Sequence, residues 1–431
     1  MIYLPIEVVE RELESKAILA CLLAKYNYKV FLFEHTFFDR FGWPGEGVYV
    51  GKNFYRIVGK KNFNNKLLNE MIKSKIKVIH LDEEGAIYNG KSEKEWNKTL
   101  QRRLDINFPK NLIDVFTWGD WQKNFFKKKD NFKKKIITTG HPRFELSKKK
   151  YNKYFKEIDY KVTKGHKNYI LVNTIFHVAN PKNDFVKDGL IKGYKNKKIY
   201  DKKVKTAKIL IKKTCDLINE ISNTEKIILR PHPCENSDFY EEIFKCNNNV
   251  YVENNGNVTS WIRNAKIVIH TSCTTGLQSI LNEKPTFAFV PKINNDFYFQ
   301  FSQLPNQSSY VFSNFKQLKF YLNNFQLKKR LSNKFQKYLD TKENTFYKIK
   351  NYINKNYKNA ALYYKDYKIK NSLLNNLRIK LKKLINLNNQ VFKYHEFSLL
   401  GSIITIGEKI FNVQVKINKI CDGVYLIEKK K

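Results

Sequence analysis

The chain has 431 residues, and 42% of them are hydrophobic, which is enough to build a core in each of two ordinary domains and excludes a disordered protein. It carries 80 Lys and Arg against 40 Asp and Glu, a net charge of +40 that is typical of proteins that bind nucleic acid or an anionic membrane. Because the basic residues are mostly Lys, scattered among Asn, Ile, Tyr and Phe, we expect no nucleic-acid partner and expect anionic lipid or nucleotide-sugars instead.

The spacing of the cysteines and the lengths of the apolar segments allow predictions about cofactors and about the cellular location of the protein. None of the six cysteines belongs to a C-x-x-C pair or has a His spacing suited to zinc, so we expect reduced thiols, no metal and no cofactor. Charged residues interrupt the opening segment, and no run of about 18 apolar residues is present. The sequence therefore predicts a cytoplasmic protein without a signal peptide or transmembrane helix, whose membrane contact is at most peripheral, on the cytoplasmic face of the inner membrane.

The amino-terminal segment predicts a βαβ unit of the doubly wound kind. Apolar residues at strand and helix spacing favour a strand over Ile2–Leu4, a helix over Val8–Tyr26 and a strand over Tyr28–Glu34. The first turn lacks the G-x-G-x-x-G pattern of dinucleotide-binding proteins. Acidic residues at the helix start, of which Glu10 is the main candidate, either complement the helix dipole or serve an acceptor site.

A run of acids follows the next clear strand. After a loop-rich, glycine- and aromatic-rich stretch at residues 37–58, the apolar residues Val78–Leu81 predict a buried strand that leads into Asp82, Glu83, Glu84 and Gly85. Solvated turn acids are the common explanation of such a run. The alternative is a general base, because an acceptor hydroxyl that is deprotonated needs a carboxylate within hydrogen-bond reach at the ligand-binding edge of a sheet.

The remainder of the first half predicts two more strands and a boundary. The strands are expected at Val115–Trp118 and Ile136–Thr139, and the second leads into the proline-fixed turn Gly140-His141-Pro142-Arg143. The charge-rich segment Lys148–Lys167 contains few aliphatic residues, so we place the domain boundary there and assign residues 1–150 to the first domain.

The second domain, residues 168–312, opens with the strand Tyr169–Asn173, whose end places Asn173, Thr174 and His177 as candidates for ligand contacts. A long amphipathic helix over Lys203–Ser222 follows.

Candidate ligand-binding residues follow two further predicted strands. The sequence KIILRPHPCE predicts a strand that ends in Arg230, Pro231, His232 and Pro233, where two prolines fix the backbone around a histidine. The stretch KIVIHTSCTTGLQSILNEKPTFAFV predicts a strand, a hydroxyl-rich turn, a helix and a strand, and the turn contains Thr271, Ser272, Thr274, Thr275 and Gly276. Alone, each motif fits a structural histidine or a helix cap. Together they are expected to clamp a phosphate or diphosphate.

These paired motifs resemble a known family. R-P-H-P followed by W-I-x-x-A-x-x-V-I-H-T-S-C-T-T-G-L-x-S-I-L-x-x-K-P is similar to the nucleotide-binding half of GT-B glycosyltransferases, in particular the bacterial surface carbohydrate biosynthesis proteins. More loosely it resembles capsule polysaccharide transferases, His-Pro motif sialyltransferases and CDP-glycerol glycerophosphotransferases. The segments LDEEG and GHPRFEL and the amino-terminal segment fit the same family, so the resemblance covers roughly residues 1–310.

The resemblance implies an α/β fold of two doubly wound Rossmann-like (GT-B) domains with a helical C-terminal extension. It implies transfer of a sugar, a nonulosonic acid or Kdo-type sugar from a CMP-sugar donor being favoured, to a glycan or lipid-linked glycan acceptor. The alternatives are a CDP-glycerol-type glycerophosphotransferase and a non-catalytic binding protein that retains the fold. In some His-Pro sialyltransferases an acidic-glycine loop supplies the base, so Glu83 or Glu84 is expected to act as base here, with Glu10 in reserve. The expected nucleotide contacts, which include the catalytic candidate His232, are Asn173, Arg230, His232, Pro233, Thr271, Ser272, Thr274, Thr275 and Gly276.

The tail, residues 313–431, is expected to be helical with a short strand-like end. Phe315–Lys350 suits one or two helices, and Leu362–Asn388 predicts a basic amphipathic helix that either packs on the protein body or lies on a membrane. Ser402–Ile427 shows strand-like alternation.

Overall fold

The computed structural model describes residues 1–52, 54, 56–58, 62–64, 66–88, 90, 92–104, 113–128, 135–193, 196–293, 304–324, 333–362, 373–374, 377, 381 and 398–431. Within these ranges, none of the helices combines the length and the hydropathy that crossing a bilayer requires. Most of the predicted basic helix over Leu362–Asn388 lies outside the described residues.

The first domain alternates strands and helices in chain order. Its elements are β1 (Ile2–Ile6), α1 (Val9–Lys25), β2 (Val30–Glu34), α2 (Phe37–Phe41), β3 (Gly47–Gly51), β4 (Arg56–Val58), β5 (Asn62–Asn64), α3 (Lys66–Lys73), β6 (Ile76–Leu81), α4 (Glu93–Arg103), β7 (Ile113–Thr117), α5 (Asp120–Lys127), β8 (Ile136–Thr138) and α6 (Pro142–Leu146). The expected βαβ start is present, and the predicted loop at residues 37–58 contains the buried strand β3, which the sequence analysis missed because its glycines indicate a loop.

A 3-10 helix, Lys149–Tyr154, and helix α7 (Lys156–Val162) connect the two domains, so the charge-rich boundary segment is folded rather than extended. The second domain contains β9 (Tyr169–Asn173), α8 (Asp184–Gly193), α9 (Lys197–Ser222), β10 (Ile227–Arg230), α10 (Asp238–Phe244), β11 (Val250–Val252), α11 (Val258–Asn264), β12 (Ala265–His270), α12 (Thr275–Leu281), β13 (Thr286–Phe289), α13 (Leu304–Gln307), β14 (Tyr310–Phe312) and α14 (Phe315–Asn324).

The tail contributes a 3-10 helix at Asn333–Lys337, helices α15 (Thr345–Leu362) and α16 (Leu400–Phe411), and strands β15 (Val415–Cys421) and β16 (Val424–Lys429). The predicted strand character of the last segment is wrong for its first part, which forms α16, and confirmed for its second part. The two strands form a hairpin, and β16 pairs antiparallel with β2. The chain therefore returns from the second domain to complete the first.

Each domain is built on its own sheet. The first sheet has the order β15-β16-β2-β1-β3-β6-β7-β8 and is parallel except at the carboxyl-terminal hairpin, whereas the second has the order β11-β10-β9-β12-β13-β14 and is parallel throughout. The two sheets confirm the predicted pair of doubly wound Rossmann-like domains. In both sheets the strand order reverses at the first strand of the domain, and side chains that follow such a switch point lie where ligands bind.

Helix α1 lies at the centre of the first domain. Every residue from Glu12 to Ala24 is buried, because the helix packs against β1, β2, β16, α6 and α16. Its closest neighbour is α16, where Gly407 brings the two helices together: a Cβ added there would lie 2.5 Å from the Cys21 Sγ. Gly401, in the same helix, has no atom within 4 Å of such a Cβ.

We predict that Gly407→Ala lowers the free energy of unfolding by about 1–3 kcal/mol, because the added methyl group overpacks the α1–α16 contact. Gly401→Ala is the matched control, since the exposed position gains helix propensity without a collision and should leave stability unchanged or raise it by up to about 1 kcal/mol. Urea unfolding followed by circular dichroism measures both. Equal stability of the two variants would contradict the tight helix contact.

Candidate functional site

A cleft of about 380 Å³ separates the two domains at the carboxyl ends of their strands. Its walls come from both sheets, which is the arrangement expected for ligand binding in open α/β folds. The first domain contributes Glu7, Val8, Glu10, Arg11, Glu84, Gly85, Ile87 and Arg143, and the second contributes Asn173, Thr174, Ile175, His177, Arg230, Pro231, His232, Pro233, Cys234, Gly256, Asn257, Val258, Cys273, Thr274, Thr275 and Gln278.

A single carboxylate organises the second-domain wall. Glu235 is 1% exposed and accepts hydrogen bonds from the hydroxyls of Thr174 and Tyr240 and from the backbone N–H groups of Phe176 and His232. Thr174 and Phe176 lie in the loop after β9, His232 lies in the loop after β10, and Tyr240 belongs to α10, so the carboxylate joins two strand ends and a helix. Burial raises the pKa of Glu235 to about 7, although its hydrogen bonds favour the ionised form.

Asn173 ends β9, the strand in the switch-point position of the second sheet. Its side chain is 2% exposed, and its Nδ2 has no hydrogen-bond partner among the described residues. Its backbone carbonyl accepts from the N–H of Thr271, which fixes the residue between two loops. A buried amide donor at a cleft wall loses the free energy of its hydrogen bond to water unless a ligand or a bound water molecule replaces it.

Two histidines lie next to each other on this wall. The rings of His177 and His232 are 5.0 Å apart between centroids. The Nδ1 of His232 accepts the backbone N–H of Cys234 at 3.2 Å, so the neutral ring carries its proton on Nε2 and can donate it to an anionic ligand. Burial, followed by the effect of His177, lowers the pKa of His232 to about 3, and burial lowers that of His177 to about 4.

Arg230 lines the cleft, but its hydrogen bonds differ from those expected of a phosphate-binding residue. Its guanidinium donates to the carbonyl of Asn255 at 2.8 Å and to that of Gly256 at 2.5 Å, with a longer contact of 3.5 Å to the carbonyl of Glu253. These carbonyls belong to the loop that leads into α11. The side chain therefore anchors a cleft loop, and most of its donors are already used within the protein.

The hydroxyl-rich loop is divided between the cleft and the protein interior. Thr274 and Thr275 line the cleft together with Cys273, whereas Thr271 and Ser272 do not, and the Ser272 Oγ accepts from Asn306. Gly276 also lies away from the cleft. A Cβ there would lie 2.4 Å from the His270 ring, so its role in the structure is close packing.

A network of ion pairs forms the first-domain wall. The Lys52 Nζ lies 2.6 Å from the Glu84 Oε1 and also contacts Glu7, and Arg11 pairs with Glu12 at 2.9 Å and with Glu84 at 3.4 Å. Burial opposes ionisation of Glu84, but Lys52 and Arg11 outweigh it and lower the pKa of its carboxyl to about 2. Glu84 lines the cleft as a permanently ionised, weakly basic group.

Glu83 lies behind that wall. Its side chain is 3% exposed, is not part of the cleft lining, and accepts a hydrogen bond from Lys16 at 2.6 Å. The expectation that Glu83 reaches an acceptor hydroxyl therefore conflicts with its position, because strand β6 turns its side chain inward onto α1. Burial raises the pKa of Glu83 to about 7. Glu10, on the first turn of α1, does line the cleft.

Several cleft residues were not singled out from the sequence. Arg143 and Cys273 belong to segments that carry the family resemblance, and Gln278 follows on α12, but nothing in those patterns distinguishes a cleft-facing from a buried side chain. Glu235 closes the K-I-I-L-R-P-H-P-C-E segment and could have been recognised as a buried acid beside a proline-fixed loop. Among the described residues, no group of three or more His, Cys, Asp or Glu is arranged to hold a metal ion.

The chain resembles known proteins at the level of solved structures, at low sequence identity. No protein-family model and no curated protein matches the chain. Solved structures that it resembles include the wall teichoic acid polymerase TagF (13% identity over 83% of this chain and 89% of that chain, TM-score 0.45). They also include UDP-GlcNAc 2-epimerase from Neisseria meningitidis bound to UDP-GlcNAc (12% identity over 83% of this chain and 100% of that chain, TM-score 0.47). A third is Anabaena Alr3699/HepE in complex with UDP and glucose (10% identity over 82% of this chain and 98% of that chain, TM-score 0.39).

At these identities the likeness concerns the fold alone. The chain's own two parallel sheets, which face each other across a cleft, form an architecture of the GT-B type. The resemblance to surface carbohydrate biosynthesis proteins and the roles of the site residues stay predictions.

The histidine pair predicts a pH dependence of stability. Because the folded-state pKa values of His177 and His232 lie below the ordinary histidine value of about 6.5, each neutral ring contributes stability that is present above about pH 6.5 and is lost as the pH falls toward about 4 and 3. In a His177→Asn, His232→Asn double variant, the free energy of unfolding should fall less steeply below pH 6.5 than in the wild type, by up to about 1.4 kcal/mol per pH unit for each histidine.

Urea unfolding at a series of pH values from 7 to 4 measures this difference. Asn is the chosen substitution because its side-chain oxygen can replace the His232 Nδ1 as acceptor of the Cys234 N–H. The other buried histidines are present in both proteins and cancel. Parallel pH profiles would show that the two rings are not held neutral by the fold.

Proposed function

We propose that the protein is a glycosyltransferase of bacterial surface polysaccharide biosynthesis, in which the second domain binds a nucleotide-sugar donor and the first presents a glycan acceptor. The proposal rests on the inter-domain cleft. Polar donors on both of its walls, Asn173 Nδ2 among them, have no hydrogen-bond partner in the described residues. A cleft lined by cations and amide donors suits a phosphate-containing ligand. The sequence motifs favour a CMP-sugar of the nonulosonic acid or Kdo type.

On the second domain, neutral His232 is proposed to donate its Nε2–H to the donor phosphate. Negative charge builds on that phosphate as the sugar leaves, and a fixed donor stabilises it. Asn173 supplies a second donor, with Thr274 and Thr275 beside them at the cleft. In this scheme Arg230 contributes by holding the loop at residues 253–256, which borders the same cleft.

On the first domain, Glu10 is proposed to deprotonate the acceptor hydroxyl. Glu83 cannot reach the cleft from its buried pair with Lys16, and a carboxylate with a pKa near 2, such as that of Glu84, is a poor base at neutral pH. Glu84 instead pairs with Arg11 and Lys52 at the first-domain wall.

Two alternatives use the same cleft. A CDP-glycerol-type glycerophosphotransferase would need the same phosphate-binding wall, and a non-catalytic protein would keep the fold without turnover. Analysis of the products formed from a CMP-sugar and from CDP-glycerol separates the first two, and absence of any nucleotide binding would favour the third. Work on a lipid-linked acceptor would place the protein at the cytoplasmic face of the inner membrane.

We predict that calorimetric titration with CMP, CDP, UDP and GDP detects binding of at least one nucleotide. His232→Ala should weaken that binding by about ten- to a hundredfold, because a charge-assisted hydrogen bond is lost. His166→Ala is the control, because this partly buried histidine contacts Tyr251 and Trp261 and does not line the cleft.

Cys234 reports the location of the ligand. It lines the cleft and is half-buried, whereas Cys246 is exposed elsewhere. Bound nucleotide should slow alkylation of Cys234 and leave Cys246 unchanged. Unaltered affinity in His232→Ala together with unprotected Cys234 would move the nucleotide site away from this cleft.

We predict that Glu10→Gln abolishes transfer while nucleotide affinity stays within about twofold of the wild type, because the amide cannot accept the acceptor proton. Glu83→Gln is the comparison: the buried position should affect thermal stability and leave residual turnover in the folded fraction. Single-turnover transfer assays with matched thermal melts separate the two effects. Full turnover in Glu10→Gln would remove Glu10 as the base.

A further inference from the structure

Arg143 differs from the other buried or half-buried arginines whose side chains the structure describes. Arg103 pairs with Asp82 at 3.0 Å, and Arg263 makes two bonds of 2.7 Å to Asp159. Arg11 pairs with Glu12 and Glu84, and Arg230 is surrounded by backbone carbonyls. The Arg143 guanidinium has no acidic partner within the described residues, and its buried Nε has no hydrogen-bond acceptor there.

Neighbouring residues fix the position of Arg143, although no acidic group among the described residues pairs with its charge. Arg143 follows the proline at the start of α6, its backbone N–H donates to the His141 Nδ1 at 3.0 Å, and its guanidinium lies 5.2 Å from the centre of the Phe144 ring. Burial, followed by repulsion from Arg11, lowers the pKa of Arg143 to about 10, which leaves the group charged at neutral pH. Arg143 is half-buried at the cleft, and an anion bound there would compensate a charge that is partly removed from water.

A second, independent feature on the opposite wall points to the same ligand. Asn173, which belongs to the other domain, directs no bond from its buried Nδ2 to any described residue. Both side chains line one cleft, and they are contributed by the two facing sheets. A guanidinium on one wall and an amide donor on the other are complementary to the oxygens of one anionic group placed between them.

We propose that Arg143 and Asn173 form an oxyanion site that bridges the two domains. The inference rests on the proposed function for its ligand, which is the anionic part of the activated donor: either a phosphoryl group of the nucleotide or the carboxylate of an acidic transferred sugar. Because the site draws on both domains, the same contact would hold the donor across the cleft and favour donors that carry negative charge beyond the nucleoside.

The test compares Arg143→Gln with Arg102→Gln, an exposed arginine on α4 that serves as the matched control. Pyrophosphate is the first probe, titrated by calorimetry at low salt. Arg143→Gln should weaken pyrophosphate binding by about ten- to a hundredfold and Arg102→Gln should not, because a charge-assisted contact is lost only at the first position. Arg143→Lys should restore part of the affinity. Thermal melts of Arg143→Gln should be unchanged or higher, since no protein ion pair is broken.

Three further ligands identify the source of the anion: cytidine, CMP and CMP-N-acetylneuraminate. If the site holds the nucleotide phosphate, Arg143→Gln reduces the preference for CMP over cytidine. If it holds the carboxylate of the sugar, that preference stays and the gain in affinity from CMP to the CMP-sugar is lost. Wild-type pyrophosphate affinity in Arg143→Gln, with both preferences unchanged, would overturn the site.

These experiments test the oxyanion site separately from the proposed transferase activity. Loss of pyrophosphate binding in Arg143→Gln, in a protein that binds no nucleotide at all, would support the oxyanion site and remove the transferase proposal. Nucleotide binding that depends on His232 but not on Arg143 would do the reverse.

Discussion

The geometry of the cleft depends on one buried carboxylate. Glu235 accepts hydrogen bonds from the loop after β9, from the loop after β10 and from Tyr240 on α10, so three separate segments are held by a single side chain. The orientation of Asn173 and His232 follows from those bonds, because each residue precedes or carries one of the donors. Without an acceptor at this point, several buried donors would be left unsatisfied, and each would cost roughly 1–3 kcal/mol. A fixed wall is what a site that discriminates ligands by a few hydrogen bonds requires.

The first-domain wall depends on charge compensation around α1. This helix is buried on all sides, yet it carries Glu12 and Lys16, and such groups are tolerated in an interior only when they are paired. Glu83 supplies the partner of Lys16, and Arg11 that of Glu12. An acid that follows a strand at the ligand-binding edge therefore serves the packing of a helix here. The neighbouring acid, Glu84, reaches the cleft instead, where it pairs with Lys52 and Arg11.

The sequence predicted the architecture well, because apolar periodicity marks buried strands and amphipathic helices directly. It failed where a local signal pointed away from the tertiary outcome: the glycines of β3 indicated a loop, and the alternation before β15 indicated a strand where α16 forms. The motifs located strand ends that border the inter-domain cleft, since parallel strands bring their carboxyl ends to one edge. They did not separate Glu84 from Glu83 or Thr274 from Thr271, because the inward or outward direction of a side chain after a strand depends on turns that no short pattern encodes. Arg230 and Arg143 show the limit most clearly: both are arginines beside proline and histidine, but only the contacts of the folded chain distinguish the loop anchor from the unpaired cation.

Helix α12 joins the cleft to contacts between the two domains. Its first residue, Thr275, and its middle residue, Gln278, line the cleft, and Gln278 and Asn282, which follows the helix, hydrogen-bond to Ser147 at the end of α6 in the first domain. The domains also meet at the beginning of the helix, where a Cβ at Gly85 would lie 2.7 Å from the Thr274 Oγ1, so a glycine is needed for the close approach. The hydroxyl-rich loop and the domain junction are therefore parts of one packed unit, in which small residues allow the two domains to approach each other.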